Sequence, residues 1–567
     1  MSEQTTEPDA AARPPEDAPS PDKVIFGLSV VLILAVVGWG VVSPDSLNTA
    51  AGAALDWVIA NFSWLFVVSA DLFLVLAVVM AVGRYGAIRL GEDDERPEFS
   101  TLAWTAMMFS AGMGIGLMFY GVAEPLTHFA EPPPGVSPEQ RGAVAEAAME
   151  YTLFHWTLHP WAIYAVVGLA LAYATFRKRL GNRMSAAFVP LLGERHANGA
   201  LARAIDLLAV FATVFGSATS LGLGALQMGA GLNLVAGVPD SRQLELVLIG
   251  ALTAAFVVSA VSGVHRGIKW LSTANVVLAV LIMVFVFLLG PTVYILDVLP
   301  ASVGGYLNNL IGMSSRTGAF SDGDWLGTWT IFYWAWWLSW APFVGTFIAR
   351  ISRGRTIRQF VVGVLLVPSG ASAVWFAVMG GAAIRTQSTG RADLVATLEQ
   401  GEEAALFGLL DSLPAYVVTS VVCIVLVALY FVTGADSASL VLGSLSSGGA
   451  LQPRRWLVVV WGVLIGAVAA VLLVAGGLEA LQQATILVAL PFVVVMLLLC
   501  WSLMRQLRTD PGAGPAGWRG AHGLADAVRA AVGEALGASQ RPRIRLGGAR
   551  PHFRIKGRPD DSSSTDD

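Results

Sequence analysis

Residues 101–124 read TLAWTAMMFSAGMGIGLMFYGVAE, an uncharged run closed by a single carboxylate, Glu124. At about 1.5 Å per residue such a run crosses a hydrocarbon core of roughly 30 Å. In its middle stand Gly112, Gly114 and Gly116, and each glycine costs a helix roughly 1 kcal/mol against alanine. Gly112 and Gly116 make a GxxxG pair suited to a close helix crossing, but Gly114 has no part in that pattern. An unwound stretch accounts for all three. It bares backbone carbonyls and amides at mid-membrane depth, which is tolerated only where they are buried in protein or line a cavity. Transporters place substrate and ion sites at such breaks.

The run is one of many. The chain has 567 residues, 55% hydrophobic and only 13% charged, with a mean hydropathy of +0.66, whereas soluble domains carry about 25% charged residues. This predicts an all-α membrane protein of about twelve transmembrane helices, at 24–43, 61–83, 101–124, 147–176, 203–231, 244–262, 268–297, 325–350, 356–381, 414–442, 455–476 and 480–504. Arg and Lys cluster after every even-numbered helix: Arg84 and Arg89, Arg177 to Arg183, Arg266 and Lys269, Arg350 to Arg358, Arg454 and Arg455, Arg505 and Arg508. The positive-inside rule then places both termini in the cytoplasm of an inner-membrane protein. Residues 1–22 read as a disordered acidic tail without a signal peptide. Residues 506–567 read as a basic cytoplasmic tail, a solvated topogenic segment in the simpler reading, with adsorption of Arg541 to Arg558 to anionic lipid as its alternative. The connection from Ala301 to Asp324 reads as an external loop skimming the membrane, with a short interfacial helix as its alternative. Cys423 and Cys500 lie inside apolar spans and give no disulfide or thiolate metal site.

Two helices are crowded with aromatic rings. In the fourth, Trp156, Trp161 and Tyr164 span an arc of about 140°, with Pro160 free to distort it further. In the eighth, Tyr333, Trp337 and Trp340 form one stripe, with Phe332 and Trp336 beside it. Trp329 and Trp334 fit an interfacial belt; the others lie too deep. Ring faces attract cations through their quadrupole, and a quaternary ammonium suits them because it has no donors to satisfy and is cheap to desolvate. Several rings therefore bind a trimethylammonium group without any carboxylate.

The stretch from Gly112 to Gly121, then Glu124-Pro125-Leu126, and the segment from Trp334 through Trp340 to Arg355 resemble the betaine/choline/carnitine transporter family, over about residues 24–505. The resemblance implies a leucine-transporter-like fold of two inverted five-helix repeats, about 101–297 and 325–505, within a transporter domain of residues 23–505, working by alternating access. It implies an aromatic box of Trp156, Trp161, Tyr164 and Trp337, with Trp340 and the backbone of Gly112, Met113, Gly114 and Gly116 near the substrate carboxylate. It implies two sodium sites, one at the carbonyls of Met113 and Tyr430 with the Thr433 hydroxyl, the other at Thr213, Ser217 and Phe343; oxygen ligands suit that hard cation. Gly434 stands where similar sodium-coupled members often supply a second hydroxyl. Gly116 stands where similar proton-coupled choline carriers hold an acidic residue, and a proton relay needs an ionisable group. Sodium-coupled uptake of glycine betaine by a homotrimer follows from this likeness, with choline, carnitine, ectoine or a sulfonium solute, proton-coupled or exchanged, as the alternatives.

No nucleophile motif, phosphate loop or metal-ligand spacing points to an enzyme, and no cofactor beyond the coupling ions or nucleic-acid partner is expected. His155, His159 and Asp436, polar residues within or near spans, read as hydrogen-bonded packing between helices.

Overall fold

Asp22 starts the helical part of the chain: its carboxylate accepts from the Val24 and Ile25 amides and so satisfies free donors at the head of α1 (Lys23–Val42). The computed structural model describes residues 20–112, 114–262, 265–320 and 323–513. Residues 1–19 and 514–567 of the two tails, including the basic run after Gln540, lie outside these residues. Among the described residues the architecture is all-helical, as the sequence predicts, with no strand beyond one isolated bridge between Arg89 and Thr356.

The remaining long helices are α2 (Pro44–Val82), α3 (Thr101–Gly112), α4 (Ile115–Ala130), α5 (Arg141–Trp156), α6 (Leu158–Ala172), α7 (Ala200–Ala236), α8 (Arg242–Ser262), α9 (His265–Leu289), α10 (Thr292–Ser314), α11 (Phe332–Ile351), α12 (Ile357–Ser388), α13 (Tyr416–Leu445) and α14 (Arg455–Arg508). Nine described helical stretches are long and apolar enough to cross a membrane. The last, of 54 residues, would run about 80 Å if straight. It holds two crossings, divided at Gly476 and Gly477, where the backbone leaves the helical region. The α3/α4 pair and α11 supply two more, which restores the twelve expected from sequence.

Two expectations fail locally. The second helix begins at Pro44 rather than near 61, because Asn61 and Ser63 return their side chains to the Trp57 and Ile59 carbonyls and stay helical. The connection before Asp324 is largely helix rather than loop. Gly290 and Pro291 stop α9 at Leu289, and the chain re-forms as α10. This helix is pinned to α5 where the Asn309 amide donates to both oxygens of Glu150, at 3.1 and 3.0 Å.

At the arginine-rich end, Asp510 ties the chain after α14 to the end of the fourth crossing. It accepts from Arg177 at 3.2 and 3.0 Å and from Tyr173 at 2.5 Å. Burial opposes the Asp510 charge, but these donors outweigh it and hold the carboxyl down to about 2. Arg177 also bonds Asp93, so one guanidinium joins three segments.

Candidate functional site

The glycine-rich run is broken as its composition requires. α3 ends at Gly112, Gly114 is extended (φ −160°, ψ −167°), and α4 starts at Ile115. Met113, expected at both the substrate and a sodium, lies outside the described residues. No side chain caps α4, so its first amides remain available to an anion, with the helix dipole in their favour. An added Cβ at Gly114 would meet nothing within 4 Å. At Gly116 it would come 2.8 Å from the Trp336 ring and 3.0 Å from the Trp156 ring. The two glycines therefore do different things: the first opens onto space, and the second lets two indoles close against the helix.

A second break falls between α5 and α6. Thr157 (φ −115°, ψ −108°) leaves the helix because Pro160, three residues on, has no N–H for the Trp156 carbonyl and crowds it. The distortion thus appears upstream of the proline, inside the arc that carries the rings. Trp337 compensates by donating its indole N–H to the His155 carbonyl at 2.9 Å.

These breaks bring the expected rings together. Trp156 and Trp337 meet edge to face at 4.9 Å, Trp161 and Tyr164 at 5.4 Å, and Tyr164 and Trp337 at 6.3 Å. With Trp340, Pro160 and Ser372 they surround a cavity of about 30 Å³. Trp340 is held by a 2.9 Å bond from its indole N–H to the Gly216 carbonyl, and it also lines a second cavity of about 260 Å³. That larger space is bounded by Gly114, Ile115, Ser217, Asn275, Phe343, Tyr430, Thr433 and Gly434. Met107, Phe347 and Ala438 line it as well, and Phe347 stands about one turn before Arg350, at the arginine-rich end of α11. Four of the six residues expected at sodium therefore border one space. Thr213 does not: its hydroxyl bonds the Ala209 carbonyl, as in ordinary helix packing. The interfacial assignment of Trp329 and Trp334 is also overturned. Both are buried, Trp334 stacked on His159 at 5.1 Å and Trp329 edge-on to His128 at 4.5 Å, because this face of the helix is covered by α5 and α6 and by α4 rather than by lipid.

Glu124 has no role assigned from the sequence. The carboxylate is fully buried, and its Oε2 accepts from the Trp156 indole at 2.6 Å and the Tyr333 hydroxyl at 2.5 Å. Its Oε1 lies 2.7 Å from His155 Nδ1 and 3.5 Å from His128 Nε2. One hydrogen is shared between Glu124 Oε1 and His155 Nδ1, and His155 Nε2 is hydrogen-bonded with the Thr330 hydroxyl at 3.0 Å. Ligand atoms of Glu124, His128 and His155 cluster within 4.8 Å, but a separation of 2.7 Å is a hydrogen bond; two tetrahedral ligands at about 2.0 to 2.1 Å from one ion sit roughly 3.3 Å apart. The group is a hydrogen-bonded knot joining α4, α5 and α11 directly behind the box. The signal was legible in the sequence as the one carboxylate ending an apolar run. Asn275, in the larger cavity, carried no such signal.

The family model for "BCCT, betaine/carnitine/choline family transporter" matches residues 24–512. Among curated proteins the chain is similar to the glycine betaine transporter OpuD of Bacillus subtilis, 46% identical over 86% of this chain and 94% of that protein. It is also similar to a probable glycine betaine transporter of Desulfitobacterium hafniense, 42% identical over 86% and 97%. The betaine/ectoine transporter LcoP of Corynebacterium glutamicum is 39% identical over 87% and 79%. These relatives are named as transporters, in keeping with the expectation that the chain is not an enzyme. With a matching model over most of its length and a broken-helix, multi-pass architecture, the chain belongs to the betaine/carnitine/choline transporter family.

Proposed function

We propose that the protein is a sodium-coupled symporter that takes up glycine betaine or a closely related quaternary-ammonium solute. The observation that carries this reading is the convergence of Trp156, Trp161, Tyr164 and Trp337 from two crossings around one small cavity. Each ring face contributes about 0.5 to 2 kcal/mol to a cation, most when the site is dry. An onium head with a carboxylate tail also matches the uncapped start of α4, where amides and dipole favour the anion. The substrate is thus a zwitterion, its head among the rings and its tail at the break.

Relatives named for betaine support the substrate class, and Gly116 supports the coupling. Any side chain there would strike Trp336 and Trp156, so the acidic residue of proton-coupled choline carriers has no room beside this box. Ser217, Phe343, Tyr430 and Thr433 border the larger cavity and supply the oxygens and ring for sodium. The charge pattern favours cytoplasmic termini, which makes the larger cavity an inward-facing one, with the Glu124 knot closing the box from the outside. Two inverted repeats and a trimeric assembly complete the arrangement drawn from the family.

The test is uptake of radiolabelled glycine betaine, choline and carnitine into proteoliposomes with and without an inward sodium gradient. The expected result is sodium-driven betaine uptake in preference to the other two. Uptake indifferent to sodium rejects the coupling, and uptake of none of the three solutes rejects the substrate class.

A further inference from the structure

The larger cavity contains a buried amide that the substrate reading leaves unused. Asn275, on α9, is 4% exposed and donates its side-chain N–H to the Thr433 hydroxyl at 3.0 Å. The Thr433 hydroxyl is turned toward the Leu429 carbonyl at 2.9 Å and lies 3.4 Å from the Tyr430 carbonyl. Its proton is therefore committed to its own helix, so it accepts from Asn275, and this fixes which end of the amide faces it. The Asn275 oxygen is left without a hydrogen-bond partner among the described residues. A buried, unsatisfied carbonyl oxygen costs free energy unless something of positive character meets it.

Gly434, next to Thr433 in the chain and lining the same cavity, offers no side-chain oxygen, and an added Cβ there would meet nothing within 4 Å. The tyrosine carbonyl, threonine hydroxyl and asparagine amide thus form an oxygen-rich, uncharged corner of the cavity. Hard monovalent cations are held by such neutral oxygens. We propose that the Asn275 side-chain oxygen is a sodium ligand, supplying from α9 the oxygen that Gly434 does not supply from α13. The inference rests on the sodium-symport reading and extends it to a residue on a helix outside the expected ligand set.

The experiment is equilibrium binding of radioactive sodium to the purified full-length protein in nanodiscs, in potassium buffer, which reads the ion without transport. Asn275→Ala is expected to raise the sodium half-saturation about tenfold, the cost of one lost ligand. Adding Gly434→Ser to Asn275→Ala, placing a hydroxyl in the empty space, is expected to bring it back to within about threefold of the unmodified protein. Asn275→Asp keeps an oxygen and adds charge, so it binds sodium at least as well, and it carries the test if the alanine variant does not fold. A role in merely bracing Thr433 predicts the opposite for the aspartate, because it loses the donated N–H. Unchanged half-saturation in Asn275→Ala, no recovery with Gly434→Ser, or weakened binding in Asn275→Asp overturns the assignment while leaving sodium coupling intact. A protein that binds betaine but no sodium overturns the coupling itself.

Discussion

Shortening Glu124 by one methylene separates position from charge behind the aromatic box. Glu124→Asp withdraws the carboxylate by about 1.5 Å, so the 2.6 Å bond to the Trp156 indole and the 2.5 Å bond to Tyr333 both lapse. Each buried donor left unmet costs about 1 to 3 kcal/mol. If about 1.4 kcal/mol of that cost is expressed as lost orientation of Trp156, affinity for an onium head falls about tenfold. Glu124→Gln keeps the reach and one acceptor oxygen; its amide nitrogen faces His155, whose tautomer can reverse. The expected half-saturation for betaine is about tenfold higher in the aspartate variant and within about threefold in the glutamine variant. The assay is betaine titration followed by intrinsic tryptophan fluorescence, repeated in a Trp156→Phe background, where the aspartate effect should vanish because its route runs through that ring. The reverse order, glutamine worse than aspartate, means that buried charge rather than placement matters and refutes the reasoning.

Gly116→Ala puts a methyl within 2.8 Å of Trp336 and 3.0 Å of Trp156, and is expected to weaken betaine binding by at least about tenfold through displaced rings; unaltered binding by the same titration would show that the rings need not close there. Glu402, in the short turn Glu402–Ala404 between crossings, is pushed up to about 8 by burial and then by the charges of Glu403 and Glu124. The folded protein then keeps a proton that the unfolded chain gives up near the usual carboxylate range, so stability is greatest below that range and declines as pH rises through about 8. Thermal unfolding in detergent should show this decline, and Glu402→Gln should flatten it; an equal slope in both proteins contradicts the assignment.

What the sequence revealed followed from short-range rules. Gly112, Gly114 and Gly116 announced a break because helix propensity penalises them locally, and the ring clusters announced a box because six or so aromatics on two helices exceed what an interface needs. Span count and class followed from hydropathy. What remained hidden depended on who faces whom. Trp329 and Trp334 looked interfacial because periodicity does not say which helix covers a face. Pro160 in a helix announces distortion, but the break at Thr157 depends on the carbonyl behind it. Glu124 was visible as a lone carboxylate, yet its tie to Trp156 and Tyr333 joins residues far apart in the chain. Asn275 was invisible because one amide in an apolar helix is ordinary until its oxygen stands without a hydrogen-bond partner among the described residues.

The most direct measurement compares equilibrium binding of glycine betaine with that of its carbon isostere, in which an uncharged tert-butyl head replaces the trimethylammonium and the carboxylate is kept. Shape and apolar area are then nearly equal, so the difference reads the attraction of the rings for positive charge. At about 0.5 to 2 kcal/mol per ring, betaine should bind at least about tenfold tighter, and that preference should collapse in Trp337→Leu. Equal affinity for the two ligands would contradict a box of Trp156, Trp161, Tyr164 and Trp337 that recognises an onium head.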